Sequence, residues 1–150
     1  MLRNYRCLFH VGLLVLVLAG MWAGPGRAAV PQGLTAEQVA ALEQRVRERW
    51  QALSASDYAK AWAYATPLYR SIFPEKMYAL QFSYVVERKL TGVEVVNYDA
   101  SAAVASVTAR VMSTPLKQTS TASQAVGAVP VLLHEKWLFI DGEWWFGASG

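Results

Sequence analysis

The stretch that decides the fold is HEKWLFIDGEWWF, residues 134–146. Two aromatic-rich runs flank Asp141-Gly142, a dipeptide typical of the two-residue turn of a β-hairpin. Side chains alternate between the two faces of a strand, so this turn puts Glu135 on the same face as four aromatic rings. The rings pair across the hairpin as Phe139 with Trp144 and Trp137 with Phe146. The chain is therefore predicted to end in a hairpin that holds one carboxylate in an aromatic wall.

The first 28 residues have the anatomy of a secretory signal peptide. Arg3 and Arg6 precede an apolar run over residues 11–22, and small residues suitable for cleavage follow as far as Ala29. A helix that spans a membrane needs about 20 apolar residues, and this run is shorter. The alternative is that the segment is retained as a membrane anchor. We predict a signal peptide over residues 1–28, cleavage near Ala28, no stable membrane anchor afterwards, and a single periplasmic or secreted domain over residues 29–150.

The net positive charge of the chain comes from that leading segment. Lys and Arg number 14 against 11 Asp and Glu, and Arg3, Arg6 and Arg27 account for the whole excess. The remaining chain is balanced in charge and therefore does not predict nucleic-acid binding. It also retains no cysteine and a single histidine, His134, which excludes disulfides, thiolate zinc sites and histidine-rich metal sites there. No metal or cofactor is predicted.

Helical patterns occupy the first half of the predicted domain. Thr35 and Gln38 form a capping box, and the apolar residues that follow recur at spacings of three and four as far as Leu53. This pattern predicts a long amphipathic helix. Asp57 is placed to cap a second, shorter helix, and Thr66-Pro67 to begin a third.

The second half changes from a helical period to a period of two. Residues 75–89 keep a helix-compatible pattern, although their last part also suits a strand. Strands are predicted at 92–98 and 102–113, with the small odd-numbered residues of the latter facing the long helix. Residues 115–130 are polar and bounded by prolines, which indicates a long loop, either a lid or a tolerated insertion. A third strand is predicted at 131–140.

Five short segments carry a resemblance to a known family: RWQAL at 49–53, DYAKAW at 57–62, TPLYR at 66–70, EKW at 135–137 and DGEWW at 141–145. In this order they resemble the nuclear-transport-factor-2-like superfamily, which includes SnoaL-like and cystatin-like cone-shaped α+β proteins. The resemblance implies N-terminal helices packed on a strongly curved antiparallel sheet, a cone-shaped α+β barrel, with a pocket between helices and sheet. Members include isomerases, dehydratases, polyketide cyclases and non-catalytic binding proteins, often dimers, so the fold does not choose among functions.

Glu135 is the acid best placed for proton transfer in such a pocket. His134 is its neighbour in a strand and points to the opposite face, so the two cannot form a dyad. Candidate hydroxyl partners are Tyr58, Tyr64, Tyr69, Tyr78 and Tyr84. The favoured interpretation is structural, a carboxylate hydrogen-bonded beside the pocket or paired with Arg70 or Arg88, and no catalytic residue is assigned.

The aromatic face admits two interpretations, a packed core, which is the more common arrangement, or a pocket for a small apolar or aromatic ligand. The predicted pocket residues are Trp62, Tyr69, Glu135, Trp137, Phe139 and Trp144. The opposite face of the hairpin carries Leu138, Ile140 and Trp145. Such an apolar strip is costly to leave in water and predicts a homodimer interface.

The leading hypothesis is an exported, non-catalytic module that binds a ligand or takes part in an assembly. One alternative is a pocket enzyme of isomerase, dehydratase or cyclase type that uses Glu135 as its acid–base group. Another is a subunit of an envelope protein complex whose partner covers the outer face of the sheet.

Overall fold

The computed structural model describes residues 30–82, 86–116, 121, 125 and 127–148. The predicted signal peptide and half of the predicted loop at 115–130 lie outside the described residues. Helices come first and antiparallel strands follow: α1 (Ala36–Ser54), α2 (Tyr58–Ala63), α3 (Pro67–Ile72), α4 (Glu75–Leu80), β1 (Val86–Asp99), β2 (Val104–Pro115), β3 (Val129–Ile140) and β4 (Glu143–Phe146). This arrangement confirms the predicted α+β class.

Helix α1 begins at the predicted capping box. The hydroxyl of Thr35 accepts from the backbone N–H of Gln38 at 3.2 Å, and the side-chain oxygen of Gln38 accepts from the backbone N–H of Thr35 at 2.9 Å. These bonds satisfy two of the donors that a helix leaves unpaired at its start. The apolar stripe of the helix is buried at Leu42, Val46, Trp50 and Leu53. The long amphipathic helix is therefore confirmed.

The short helices also start where their caps predict. Asp57 accepts from the backbone N–H of Lys60 at 3.0 Å, and Thr66 accepts from that of Tyr69 at 3.2 Å, with Pro67 in the first turn of α3. A proline loses nothing there, because the first backbone N–H groups of a helix have no partner within it.

The helix predicted for residues 75–89 is wrong at its C-terminal end, where residues 86–89 form a strand. Helix α4 ends at Leu80, and β1 begins at Val86, opposite Pro115 of β2. The reason is tertiary, because β2 offers a hydrogen-bonding partner along the whole length of β1, and such long-range pairing overrides a weak local pattern. The extended alternative for the end of this segment is the correct one.

The sheet is open and strongly curved. Its strand order is β1-β2-β3-β4, so within the described residues β1 and β4 are the edge strands and the predicted barrel does not close. In a flat sheet these edges would lie about 14 Å apart. The rings of Tyr98 on β1 and Trp144 on β4 nevertheless approach to 5.9 Å between centroids. Two register shifts in β1, at Leu90/Gly92 and Val95/Asn97, add local twist and bending.

The C-terminal hairpin has the predicted register. Trp137 pairs with Phe146 and Phe139 with Trp144. Asp141 and Gly142 have φ angles of 52° and 84°, the doubly left-handed turn whose twist matches that of the strands it joins. The outer edge of β4 is not left bare. Phe146 donates its backbone N–H to Tyr64 at 2.8 Å and its carbonyl accepts from Thr66 at 3.2 Å, so the α2–α3 connection covers this edge.

The core lies between α1 and the inner face of the sheet. As predicted, the odd-numbered residues of β2 face it, and Ala105, Val107, Ala109 and Val111 are buried with the stripe of α1. Among the described residues, no helix is long and apolar enough to cross a membrane. That part of the chain also holds no cluster of three or more His, Cys, Asp or Glu side chains suited to a metal ion.

Candidate functional site

Glu135 lies on the inner face of β3, where the predicted strand parity puts it, and is 7% exposed. Its Oε1 accepts from Arg49 Nη1 and from Trp50 Nε1, both at 2.9 Å, and its Oε2 accepts from Trp137 Nε1 at 2.9 Å. Both carboxylate oxygens are therefore engaged by donors. Charge-assisted bonds of this length are the strong class of protein hydrogen bonds.

The partner of Glu135 is Arg49, not Arg70 or Arg88 as predicted. Sequence reasoning missed Arg49, although its position held a signal. It follows Val46 by three residues and precedes Leu53 by four, and so it falls on the buried stripe of α1. An arginine on an apolar stripe needs a buried counter-charge, and the Arg49 side chain is 5% exposed.

Aromatic rings surround the Arg49 guanidinium. Its Cζ lies 3.5 Å from the centroid of the Phe146 ring, a close cation–π contact. Its Nη2 donates to the hydroxyl of Tyr78 at 3.3 Å, so this candidate tyrosine joins the site from α4. The candidate Tyr84 lies outside the described residues. Arg49 Nε is buried and has no hydrogen-bond partner among the described residues. The pair of Glu135 and Arg49 is thus a nearly dry ion pair enclosed by indole, phenol and phenyl groups.

Beside this ion pair lies a cavity of about 520 Å³. Its apolar wall is formed by Trp50, Leu53, Phe82, Leu133 and Phe146. Its charged lining is formed by Arg49, Arg88, Glu135 and Lys136. The volume is in the range of small-molecule sites, which combine an apolar wall with a few polar groups.

Three of the predicted pocket residues form core instead of cavity wall. Trp137 is 0% exposed and Trp144 is 3% exposed. Phe139 packs on Trp144 with ring centroids 4.9 Å apart. Of the six predicted residues, Glu135 is the one that lines the cavity beside the ion pair.

Trp62 and Tyr69 both contact Phe73, and neither lines this cavity. Trp62 donates its Nε1 to the carbonyl of Phe73 at 2.9 Å, and Tyr69 stacks on the Phe73 ring at 4.8 Å between centroids. Tyr69 also meets Tyr78 edge to face at 6.4 Å. It therefore touches the Glu135 site through one intermediate ring.

The outer face of the hairpin carries the predicted apolar strip. Leu138, Ile140 and Trp145 are all half-buried within one chain. The Trp145 ring has the guanidinium of Arg45 at 5.2 Å and that of Arg70 at 5.0 Å from its centroid. Arginines from α1 and α3 thus cover part of this tryptophan. His134 is exposed on the same face, with its Nδ1 3.2 Å from the hydroxyl of Thr108.

A second titratable pair, Glu48 and Tyr64, joins α1 to the C-terminal end of α2. Glu48 accepts from Gln44 at 2.9 Å and from the Tyr64 hydroxyl at 3.1 Å. The bond from Gln44 has the largest effect and lowers the pKa of Glu48, although burial acts in the opposite direction. Burial raises the pKa of Tyr64, and the bond to Glu48 raises it further. The pair therefore keeps a carboxylate and a protonated phenol at neutral pH.

No protein-family model and no curated protein sequence matches the chain. Solved structures do resemble it. A putative aromatic ring hydroxylase from Novosphingobium aromaticivorans is 16% identical, with a TM-score of 0.50, over 75% of this chain and 86% of that one. A protein of unknown function with a cystatin-like fold from Nostoc punctiforme is 12% identical, with a TM-score of 0.48, over 75% and 88% of the two chains. The similarity to the Novosphingobium protein supports the cone-shaped α+β class. At 16% sequence identity it is evidence for the fold alone.

Proposed function

We propose that this chain is an exported, non-catalytic binding module whose ligand occupies the cavity beside Glu135 and Arg49. The observation that carries the proposal is the engagement of the Glu135 carboxylate by three donors. A general base must reach the proton that it removes, and both oxygens of this acid already accept hydrogen bonds from buried groups. The same ion pair gives the cavity a rigid floor, which favours binding over proton transfer.

A cavity-filling variant tests the proposal. Leu133 lies on the inner face of β3 and lines the cavity, whereas Leu68 on α3 is 71% exposed and does not line it. With Nile red as a neutral apolar probe, the purified protein should enhance the fluorescence of the dye. Leu133→Trp should weaken the enhancement because the larger ring takes up part of the cavity, and Leu68→Trp is the control that should leave it intact. An equal response from both variants, or no response from the wild type, would contradict binding in this cavity.

Export is the second part of the proposal, and the leading segment supports it. Two arginines, an apolar run and small residues in this order are typical of a cleaved secretory signal. Intact-mass measurement of the protein from its native host should show the loss of residues 1–28. A mass that retains them, with the protein in the membrane fraction after a high-salt wash, would show that residues 11–22 act as an anchor.

We also propose a homodimer through the outer face, supported by the half-buried strip and by the exposed Leu132 on the same face of β3. A two-fold interface uses the same patch twice, so one substitution acts on both subunits. Sedimentation at micromolar concentration should give a dimer, and Ile140→Glu should give a folded monomer. A wild-type monomer across the concentration series would remove this part of the proposal.

A further inference from the structure

We infer that the ligand of this cavity is an amphipathic anion, with a carboxylate, sulfate or phosphate head and an apolar tail. The inference rests on the proposed binding function and deepens it by naming the class of ligand. It is carried by the charges that line the cavity and by their partners.

Positive charge exceeds negative charge along the cavity. Arg49, Arg88 and Lys136 line it together with one acid, Glu135. Glu135 forms an ion pair with Arg49 at 2.9 Å, so the charges of these two residues neutralise each other. Arg88 is the cation left for a ligand, because Lys136 alternates with Glu135 along β3 and its side chain projects from the outer face. A concave site lined by one sign of charge attracts the opposite charge.

Arg88 is the cation best prepared to hold an anionic head. It lies on β1 with its Cζ 5.5 Å from the Phe82 ring, which also lines the cavity. Every Asp and Glu of the chain lies within the described residues, and among them none forms an ion pair with Arg88 or Lys136. Among the described residues, the Arg88 side chain donates one hydrogen bond, a long one of 3.4 Å from Nη1 to the carbonyl of Val86. A guanidinium has five N–H donors, so donors remain for both oxygens of a carboxylate.

The apolar wall excludes a simple inorganic anion as the best ligand. Trp50, Leu53 and Leu133 line the same cavity with apolar surface, which does not stabilise a small hydrated ion. An alkyl or aryl tail would bury apolar surface there at roughly 25 cal/mol per Å². Head and tail together match the lining, because the polar end meets Arg88 while the tail covers the wall.

Three probes with one tail and different heads test the inference. Octanoate, octanol and octyltrimethylammonium are titrated into the purified protein at low ionic strength, with calorimetry and tryptophan fluorescence as readouts. We expect octanoate to bind about tenfold more tightly than octanol, a difference of about 1.4 kcal/mol, because its head forms charge-assisted hydrogen bonds. Octyltrimethylammonium should bind most weakly. Acetate, the head alone, should show no measurable binding.

Variants at neighbouring positions separate local contact from net charge. Arg88→Gln should weaken octanoate about tenfold and leave octanol within about twofold. Lys89→Gln, the next residue on the same strand, is exposed and does not line the cavity, so it should leave both affinities unchanged. Arg88→Lys keeps the charge and should retain the preference for octanoate.

Two results would overturn the inference while leaving the proposed function in place. One is equal binding of octanoate and octanol by the wild type, and the other is an equal loss from Arg88→Gln and Lys89→Gln. Failure of all three octyl probes to bind would overturn the proposed function as well. The comparison of probes on the wild type decides the matter even if Arg88→Gln does not fold.

Discussion

Replacing Glu135 with glutamine is expected to destabilise the domain by about 3 to 5 kcal/mol, the usual cost of leaving one member of a buried ion pair without its partner. Glutamine keeps the shape of the side chain but removes the negative charge beside Arg49. The Arg49 side chain is 5% exposed, so water replaces the lost carboxylate only in part. Glutamine also turns one acceptor oxygen into a donor. At least one of the N–H groups of Arg49, Trp50 and Trp137 would then face another donor.

Urea denaturation measures this loss directly. With a urea dependence of about 2 kcal/mol per molar, a loss of about 4 kcal/mol lowers the midpoint by about 2 M. The matched control is Glu94→Gln on the surface. Glu94 pairs with Arg110 at 3.0 Å, a similar distance, but these side chains are 45% and 58% exposed. Water screens such a pair, so the control should cost at most about 1 kcal/mol.

A double-mutant cycle assigns the loss to the ion pair. In Arg49→Met the buried carboxylate loses its cation, and in the double variant neither charge remains. The double variant should therefore lose clearly less stability than the sum of the two single variants. If Glu135→Gln costs no more than Glu94→Gln, or if the two losses simply add, Arg49 does not depend on Glu135 and the argument from burial is wrong.

Three further outcomes follow from the described contacts. The pKa of Glu48 is lowered from 4.5, so its stabilisation is present above that pH and is lost as the pH falls through the lowered pKa. Glu48→Gln, which leaves Tyr64 without its carboxylate, should therefore show a weaker loss of stability than the wild type as the pH falls below 4.5 in urea titrations. A Cβ on Gly147 would lie 2.7 Å from Cδ1 of Leu138, so Gly147→Val should cost about 1 to 3 kcal/mol in thermal melts; an unchanged melt would show that Leu138 moves aside freely. Thr35→Ala removes the hydroxyl of the capping box and should cost about 0.5 to 2 kcal/mol by circular dichroism melting, while no change would mean that the start of α1 is held by packing alone.

Local chemistry determined the elements that need only their neighbours in sequence. The capping box at Thr35 set the start of α1, since its bonds join residues three apart. Asp141-Gly142 set the hairpin register, because both residues take the positive φ that this turn requires. Strand parity then put Glu135 on the buried face. The α+β class was predictable for the same reason, as helical and extended periods follow one another along the chain, whereas the curvature of the sheet was implied only by the family resemblance.

Local sequence patterns could not predict which distant residues come into contact. Residues 86–89 became strand because β2 lies beside them, although their own pattern also suited a helix. Glu135 was expected to meet Arg70 or Arg88 and meets Arg49, which lies 86 positions away along the chain. A pattern determines which face an element buries. Only the tertiary structure decides which turn of the helix lies over which strand, and with it which charges neutralise each other and where a cavity stays open, because these depend on how α1 packs across the curved sheet.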